Sequence, residues 1–455
     1  MIDTQTLSKP TRFAPRRATI LVLSAMLVVL SACNRGDERL PGEREPIRPV
    51  AVSAASTPSA TPRSRPINLP VARTNADWSQ RNGSASGRLS HPAFAAVPQV
   101  RWTRNIGAGS SRRAQLIVSP IVAGGLVFSM DSRSQLSAHN PQGDLVWSQS
   151  LVPEGQRPDA GPGGGIAVAD GALFASTGFG EVLALSSASG QILWRESFDA
   201  PIRSAPVVQN GRIYAILRDD RAVALSASDG ETLWEASSTG GTGLLGGAVP
   251  AVSGSRVVIP FTSGEVRAVS ASTGLWEWST AITLGRLDLA RSSIEDITGD
   301  PVISGTSVFA SSQNGRTVRI NLATGERIWT FGEGSYGPIW PVGGSIFLVS
   351  DESRLVRADA TQGTEIWSVQ LPDLHPNRNW LGNRQPFRAI THFGPILAGG
   401  RLWVASGDAT LRAYSPVDGA LLVEIALPSG AAAPPIVAGG IMYVVTENGQ
   451  LVALQ

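Results

Sequence analysis

From Ser119 onward, apolar and polar positions alternate in short runs that return as one unit: a brief apolar run, Gly, a second run, a polar turn, a third run, a turn and a fourth run bearing Trp. Period-two alternation broken by Gly and Asp-Gly or Asn-Gly turns predicts strands and tight hairpins rather than helices. Two copies show the unit well. The first runs through Ala205-Pro206-Val207-Val208, Gly211-Arg212-Ile213-Tyr214, Ala222-Val223-Ala224-Leu225, Asp229-Gly230 and Trp234. The second runs through Pro301-Val302-Ile303, Gly305, Val308-Phe309, Val318-Arg319-Ile320, Thr324-Gly325 and Trp329. The turn-to-Trp step is constant at four residues in Gly143/Trp147, Gly190/Trp194, Gly230/Trp234, Gly274/Trp278, Gly325/Trp329 and Gly363/Trp367, and Gly419/Val423 keeps it with Val in the Trp place. Glycine supplies a positive φ at the turn, so the large residue four later lands at a fixed point on an outer strand, where it can pack between neighbouring units.

Seven units of about 38 to 56 residues are complete. An eighth starts at Pro434 and runs out of chain after three strands, Ile436-Val437, Met442-Tyr443-Val444-Val445 and Leu451-Val452-Ala453-Leu454. Upstream, Val100-Arg101-Trp102-Thr103 has a Trp but lacks three preceding strands. Joining the two completes one unit and closes a ring without free edges. The expectation is an all-β fold: an eight-bladed β-propeller of four-stranded antiparallel blades over residues 76–455, closed by N- and C-terminal strands in one blade. Trp102, Trp147, Trp194, Trp234, Trp278, Trp329 and Trp367 are expected to dock blade on blade.

The N-terminus follows another pattern. Ala18 to Ala32 is apolar and follows Arg16-Arg17, the layout of a signal peptide, and is short for a membrane span of about 20 residues. Leu30-Ser31-Ala32-Cys33 resembles the bacterial lipobox, in which the cysteine is acylated and becomes the first residue of the mature chain. Residues 1–32 are thus expected to be a lipoprotein signal peptide and Cys33 the lipidated residue, a palmitate-type anchor that holds a chain without a spanning helix. Residues 33–75, rich in Pro, Ser, Ala and Arg, read as a disordered tether. By analogy with lipoprotein sorting, Asn34 gives no strong inner-membrane retention signal, so the expected address is the outer membrane with the propeller in the periplasm.

Composition and charge narrow the chemistry. Of 38 basic and 36 acidic residues, the first 32 positions hold four basic and one acidic, so the remainder carries a net charge of −1. Nucleic acid is therefore excluded as an expected partner. Lys9 is the only lysine and Cys33 the only cysteine, which removes Schiff-base chemistry, an intramolecular disulfide and a Cys-based zinc site from the mature chain. The four histidines, His91, His139, His375 and His392, lack metal-ligand spacing and read as structural.

The turn sequences Ala224-Leu-Ser-Ala-Ser-Asp229-Gly230-Glu-Thr-Leu-Trp234 and Ala268-Val-Ser-Ala-Ser-Thr273-Gly274-Leu-Trp-Glu-Trp278 resemble the tryptophan-docking motif of quinoprotein-type propellers. Lipobox, tether and such a propeller together resemble the BamB-type lipoproteins of the outer-membrane β-barrel assembly (BAM) machinery. That resemblance implies a non-catalytic scaffold without cofactor or metal. It would dock on the periplasmic POTRA domains of a BamA-type membrane-embedded assembly protein and help deliver unfolded outer-membrane proteins.

The resemblance also implies a partner surface on two irregular connections, residues 239–248 and 281–300. Leu244 falls at a contacting leucine; Leu245 replaces a frequent arginine; Asp296 matches an acidic position; Arg291 lies two residues out of register with a family arginine. With Arg286 and Glu295, these offer an apolar anchor and a charged rim. A third irregular stretch, Leu371 to Phe393, carries Arg378, Trp380, Arg384 and Arg388 and reads as a loop covering one end of the ring. The alternative is a quinone-dependent dehydrogenase or a small-ligand-binding periplasmic propeller, for which no Glu/Asn/Asp set with the expected spacing is found.

Overall fold

The computed structural model describes residues 64–87, 91–238, 247–282, 296–313, 315–375 and 388–455. Among these residues the chain forms eight four-stranded sheets, the blades of an eight-bladed β-propeller. In blade 3, strands Val207–Gln209, Arg212–Ile216, Arg221–Ser226 and Thr232–Ser237 pair antiparallel in sequence order. These are called A, B, C and D from the channel outward, and the other blades repeat them. Blades 1 to 7 cover residues 121–150, 164–197, 207–237, 251–281, 302–331, 340–370 and 392–426. Blade 8 takes strands A to C from Ile436–Ala438, Ile441–Thr446 and Gln450–Leu454 and strand D from Val100–Asn105, with Trp102 opposite Ala453. The two chain ends thus close the ring as the sequence predicts.

The burial pattern explains the alternation. Strands B and C are buried on both faces because blades stack on each other, whereas strand D alternates, as in Ile192–Ser197. Each Trp of strand D lies beside the glycine of the next blade's C–D turn. A Cβ on Gly274, whose φ is +71°, would meet Trp234 at 2.8 Å, so the turn requires glycine for both its backbone and its space. The indole N–H then donates to that turn's carbonyl: Trp147 to Ser187 at 2.9 Å, Trp194 to Ala227 at 3.2 Å, Trp234 to Ala271 at 3.1 Å, Trp278 to Leu322 at 2.9 Å. Trp102 and Trp329 do the same with Pro141 and Ala360.

Because each blade's strands follow A-B-C-D, its A–B and C–D turns lie on one face of the ring, and its B–C turns and the D-to-A connections to the next blade lie on the other. They are called the turn face and the connection face below.

The expected tether boundary at residue 75 falls too late. Arg65 already pairs with Asp359 at 3.0 Å, and Ile67 and Leu69 pack against the core of blades 6 and 7. The chain then runs round the inner rim as a strap. Each innermost strand A is an edge strand whose outward N–H and C=O groups face the channel and need partners. The strap supplies them. Gly439 N–H donates to Asn75 O at 2.7 Å; Val122 and Trp78 exchange two bonds at 2.7 and 2.9 Å; Val168 N–H donates to Ser79 O at 2.7 Å. Val208 N–H donates to the Gln80 side chain at 2.9 Å. Val252 reaches Ala85 O at 2.7 Å, Ile303 reaches Ser86 O at 2.8 Å and Gly399 reaches Pro92 O at 2.9 Å. Polar and irregular in sequence, the strap is a ligand for blades 8, 1, 2, 4, 5 and 7 through its backbone and for blade 3 through the Gln80 side chain.

Candidate functional site

Two places could carry function: the central channel, where a propeller enzyme would hold a cofactor, and the irregular connections of the connection face. In the channel, Trp78, Asn82 and Gly87 of the strap meet the inner strands of blades 6, 7 and 8, leaving a cavity of ≈ 30 Å³ lined largely by Pro338–Pro341, Gly394–Ile396 and Pro434–Ile436. Since one water needs about 10–15 Å³, that space suits about two waters. Trp78 is buried and pinned by its paired backbone bonds to Val122.

On the connection face, blade 4 is flanked by both predicted docking segments. Leu244, Leu245, Arg286, Arg291 and Glu295 lie outside the described residues, as do Cys33 and, in the third irregular stretch, Arg378, Trp380 and Arg384. The roots of the two segments are described, and they converge. Asp300, fully buried, accepts from Val249 N–H at 3.0 Å, from Arg81 Nε at 2.8 Å and from Asn82 Nδ2 at 2.7 Å. Arg81 also donates to Gly247 O at 3.4 Å, so one arginine of the strap grips the end of the first segment and, through Asp300, the end of the second.

A second knot lies beside it. Arg203 is 8% exposed; its Nη2 donates to Asp220 at 3.2 Å and to Pro260 O at 2.9 Å, and its Nη1 faces Asp296 at 3.9 Å. Burial pulls the Arg203 pKa down, and the charges of Asp220 and Asp296 oppose that shift. Asp220 further accepts from Ser238 Oγ at 2.5 Å and from Thr262 N–H and Oγ1. Ser238 is the last residue before the first segment and Asp296 the first after the undescribed part of the second, so this knot ties the start of the first segment to the C-terminal part of the second.

Asp296 therefore departs from the exposed rim expected of it. It is 2% exposed and turned to Arg203. Charge alone suggested solvent, but a buried arginine from the approach to blade 3 takes the carboxylate inside, where an unpaired charge would cost several kcal/mol. Arg81, Arg203, Asp220 and Asp300 were not among the predicted site residues; their partners are remote in sequence and no local motif marks them. Arg388, at the end of the third irregular stretch, pairs with Glu447 at 3.0 Å on the connection face. The seven Trp residues each lie against the C–D turn glycine of the neighbouring blade, away from both candidate places. Trp367 departs in one detail: its indole N–H has no hydrogen-bond partner.

Comparison with known proteins gives the following. A family model described as outer membrane protein assembly factor BamB matches residues 132–369 and 352–455. The outer membrane protein assembly factor BamB of Xanthomonas campestris pv. campestris is 30% identical over 290 residues, 60% of this chain and 69% of that protein. The crystal structure of BamB from Moraxella catarrhalis superposes with a TM-score of 0.65 at 15% identity, over 79% of this chain and 100% of that one. A europium-containing methanol dehydrogenase superposes with a TM-score of 0.63 at 14% identity, over 81% and 89%. At such identities the two solved structures show a shared fold alone, common to an assembly factor and an enzyme.

Proposed function

The chain belongs to the BamB family of outer membrane protein assembly factors, and from that premise we propose that it is a non-catalytic scaffold of the outer-membrane β-barrel assembly complex. On this reading a lipid on Cys33 holds it at the outer membrane, and the propeller works in the periplasm. Blade 4 docks its two flanking connections on the periplasmic POTRA domains of a BamA-type assembly protein, aiding the folding and insertion of outer-membrane proteins.

The observation that carries the docking role is the common root of the two connections. A docking surface gains affinity when its loops are ordered before binding, because less entropy is lost on association. Arg81 with Asp300 and Arg203 with Asp220 hold both ends of the first connection and the C-terminal end of the second in two buried knots, and Leu244 and its neighbours are the segment a partner would meet. Consistent with a non-catalytic role, Trp78, Asn82 and Gly87 of the strap line one side of the channel cavity between blades 6, 7 and 8.

The test is an affinity pull-down from solubilised envelopes with the full chain as bait, comparing wild type with Leu244→Asp plus Arg291→Glu. Wild type is expected to retain a large β-barrel assembly protein and the double variant to lose it. Asp296 is left untouched because reversing a buried charge would unfold blade 4 rather than report on docking. Equal recovery by both baits would remove these connections from the interface, and no recovery by either would overturn the scaffold reading.

A further inference from the structure

Two blades depart from the repeat in the same way. Opposite the outer-strand Trp, or Val423 in blade 7, strand C carries Ala138, Ala184, Ala224, Ala268, Ala413 and Ala453 in six blades, but Arg319 in blade 5 and Arg357 in blade 6. The same two blades begin strand B with serine, Ser307 and Ser345. The pairs form one device. Arg319 Nε donates to Ser307 Oγ at 2.9 Å and Arg357 Nε to Ser345 Oγ at 3.0 Å. Each Nη1 then donates to a turn carbonyl of the following blade, Ala360 at 3.2 Å and Pro416 at 3.0 Å.

The blade 6 copy shows what the device holds. Arg357 Nη1 also donates to Arg65 O at 2.6 Å, and its Nη2 to Pro66 O at 3.2 Å. Arg65 N–H donates to Val417 O at 3.3 Å, while Ile67 and Leu69 pack on the core of blades 6 and 7. Ile67 and Asn68 O lie so close to Gly343 that a Cβ there would meet them at 2.8 and 2.6 Å. An arginine fork thus clamps successive carbonyls of an extended Arg-Pro-Ile-Asn-Leu strand, and the aliphatic side chains seat beside it. Proline fits because it fixes an extended backbone and has no N–H to satisfy.

The blade 5 copy has the fork without the strand. Between blades 5 and 6 lies a groove of ≈ 240 Å³, lined among others by Ser307, Phe309 and Arg319 on one side and Val342, Gly343 and Thr361 on the other. Among the described residues no segment of chain enters it, and Arg319 Nη2 donates to none of them. We propose that this groove binds a second extended peptide, supplied by another protein, with a proline followed by an aliphatic residue. Arg319 would take the carbonyls on either side of the X-Pro bond. One difference sets specificity. Asp359, whose carboxylate pairs with Arg65 in blade 6, is replaced by the uncharged Asn321 in blade 5. The incoming peptide therefore needs no basic residue before its proline. Since the groove opens on the turn face, it is separate from the connections proposed to dock the assembly protein.

The test titrates a fluorescent heptapeptide of the sequence Ser-Arg-Pro-Ile-Asn-Leu-Pro, and a second with Ala for Arg, against the full chain in detergent. Both peptides are expected to bind one to one, at least about ten-fold more weakly to Arg319→Ala and unchanged to Leu244→Asp. Arg319→Ala restores the residue that six blades carry, so its fold is expected to hold; its unfolding midpoint is measured alongside. Absence of saturable binding, or equal binding by Arg319→Ala, overturns the proposal. So does binding that appears only after residues 1–63 are removed, since the groove would then belong to the chain's own N-terminal segment.

Discussion

The turn face and the connection face are built from the same eight blades by opposite means. On the turn face, six indole N–H groups repeat one bond to a neighbouring turn, glycines repeat one close approach, and the strap meets the inner strands close to their A–B turns. On the connection face the backbone still repeats, since the residue after strand D donates to its own blade's B–C turn, as Leu151 does to Ser134 O and Phe198 to Gly180 O, but the buried side-chain ties between connections do not. Arg203 with Asp220 and Asp296, Arg81 with Asp300, and Arg388 with Glu447 are each made once. Periodic contacts hold a ring whatever its function, whereas single buried networks fix particular loops. The difference teaches where to look for function in a propeller: at positions where the repeat is broken and a buried polar group has been given a specific partner.

The comparison can be broken in order of effect. Trp234→Ala removes a 7% exposed indole that fills the junction of blades 3 and 4. It should lower stability by about 3–5 kcal/mol, read as a fall in the urea midpoint, with docking per folded molecule unchanged. Asp300→Ala should cost less, about 1–3 kcal/mol for its three lost partners. Yet it should weaken partner binding by about ten-fold although its side chain is fully buried, because the loop ends at Val249 and Asp300 are released. If Trp234→Ala alone impaired docking in the folded fraction, the division between faces would fail.

The smallest effect concerns acid. His392 bonds through its ring to Pro372 O and Ser406 Oγ, both at 2.8 Å, tying the third irregular stretch to blade 7. Burial lowers its pKa below the ordinary 6.5. The unfolded chain then takes up the proton first, so stability should fall as pH drops through about 6.5 and level off below the folded value. His139 is lowered too, chiefly by burial and secondarily by Arg104. The midpoint difference between pH 7.5 and 5.5 should therefore shrink, not vanish, in His392→Gln. An unchanged difference would remove His392 from the account.

Much of the ring could be read from the chain because its causes are local. A glycine turn followed four residues later by Trp marks a blade, and the spare Val100-Arg101-Trp102-Thr103 announces closure. The strap is not legible in the sequence because it binds chiefly through its backbone and through single side chains with remote partners, which leaves no side-chain period in Asp77-Trp78-Ser79-Gln80-Arg81. Residues 65–75 were assigned to the tether on composition, although Ile67 and Leu69 are the aliphatic pair that seats there. The burial of Asp296 is not legible locally because its partner, Arg203, lies far upstream. The repeat itself carries one further signal: Arg319 and Arg357 stand in a column otherwise filled by alanine, and a charge at a repeat's buried position asks for a partner.

The central claim is that the connections flanking blade 4, ordered from within, are the docking surface of a non-catalytic scaffold. Its most direct measurement is calorimetric titration of the purified chain with the periplasmic domains of the assembly protein, using wild type, Leu244→Asp and Arg319→Ala. The account predicts binding by wild type and Arg319→Ala, with a loss of about ten-fold or more in Leu244→Asp. Equal affinity for all three chains, or no binding at all, would contradict it.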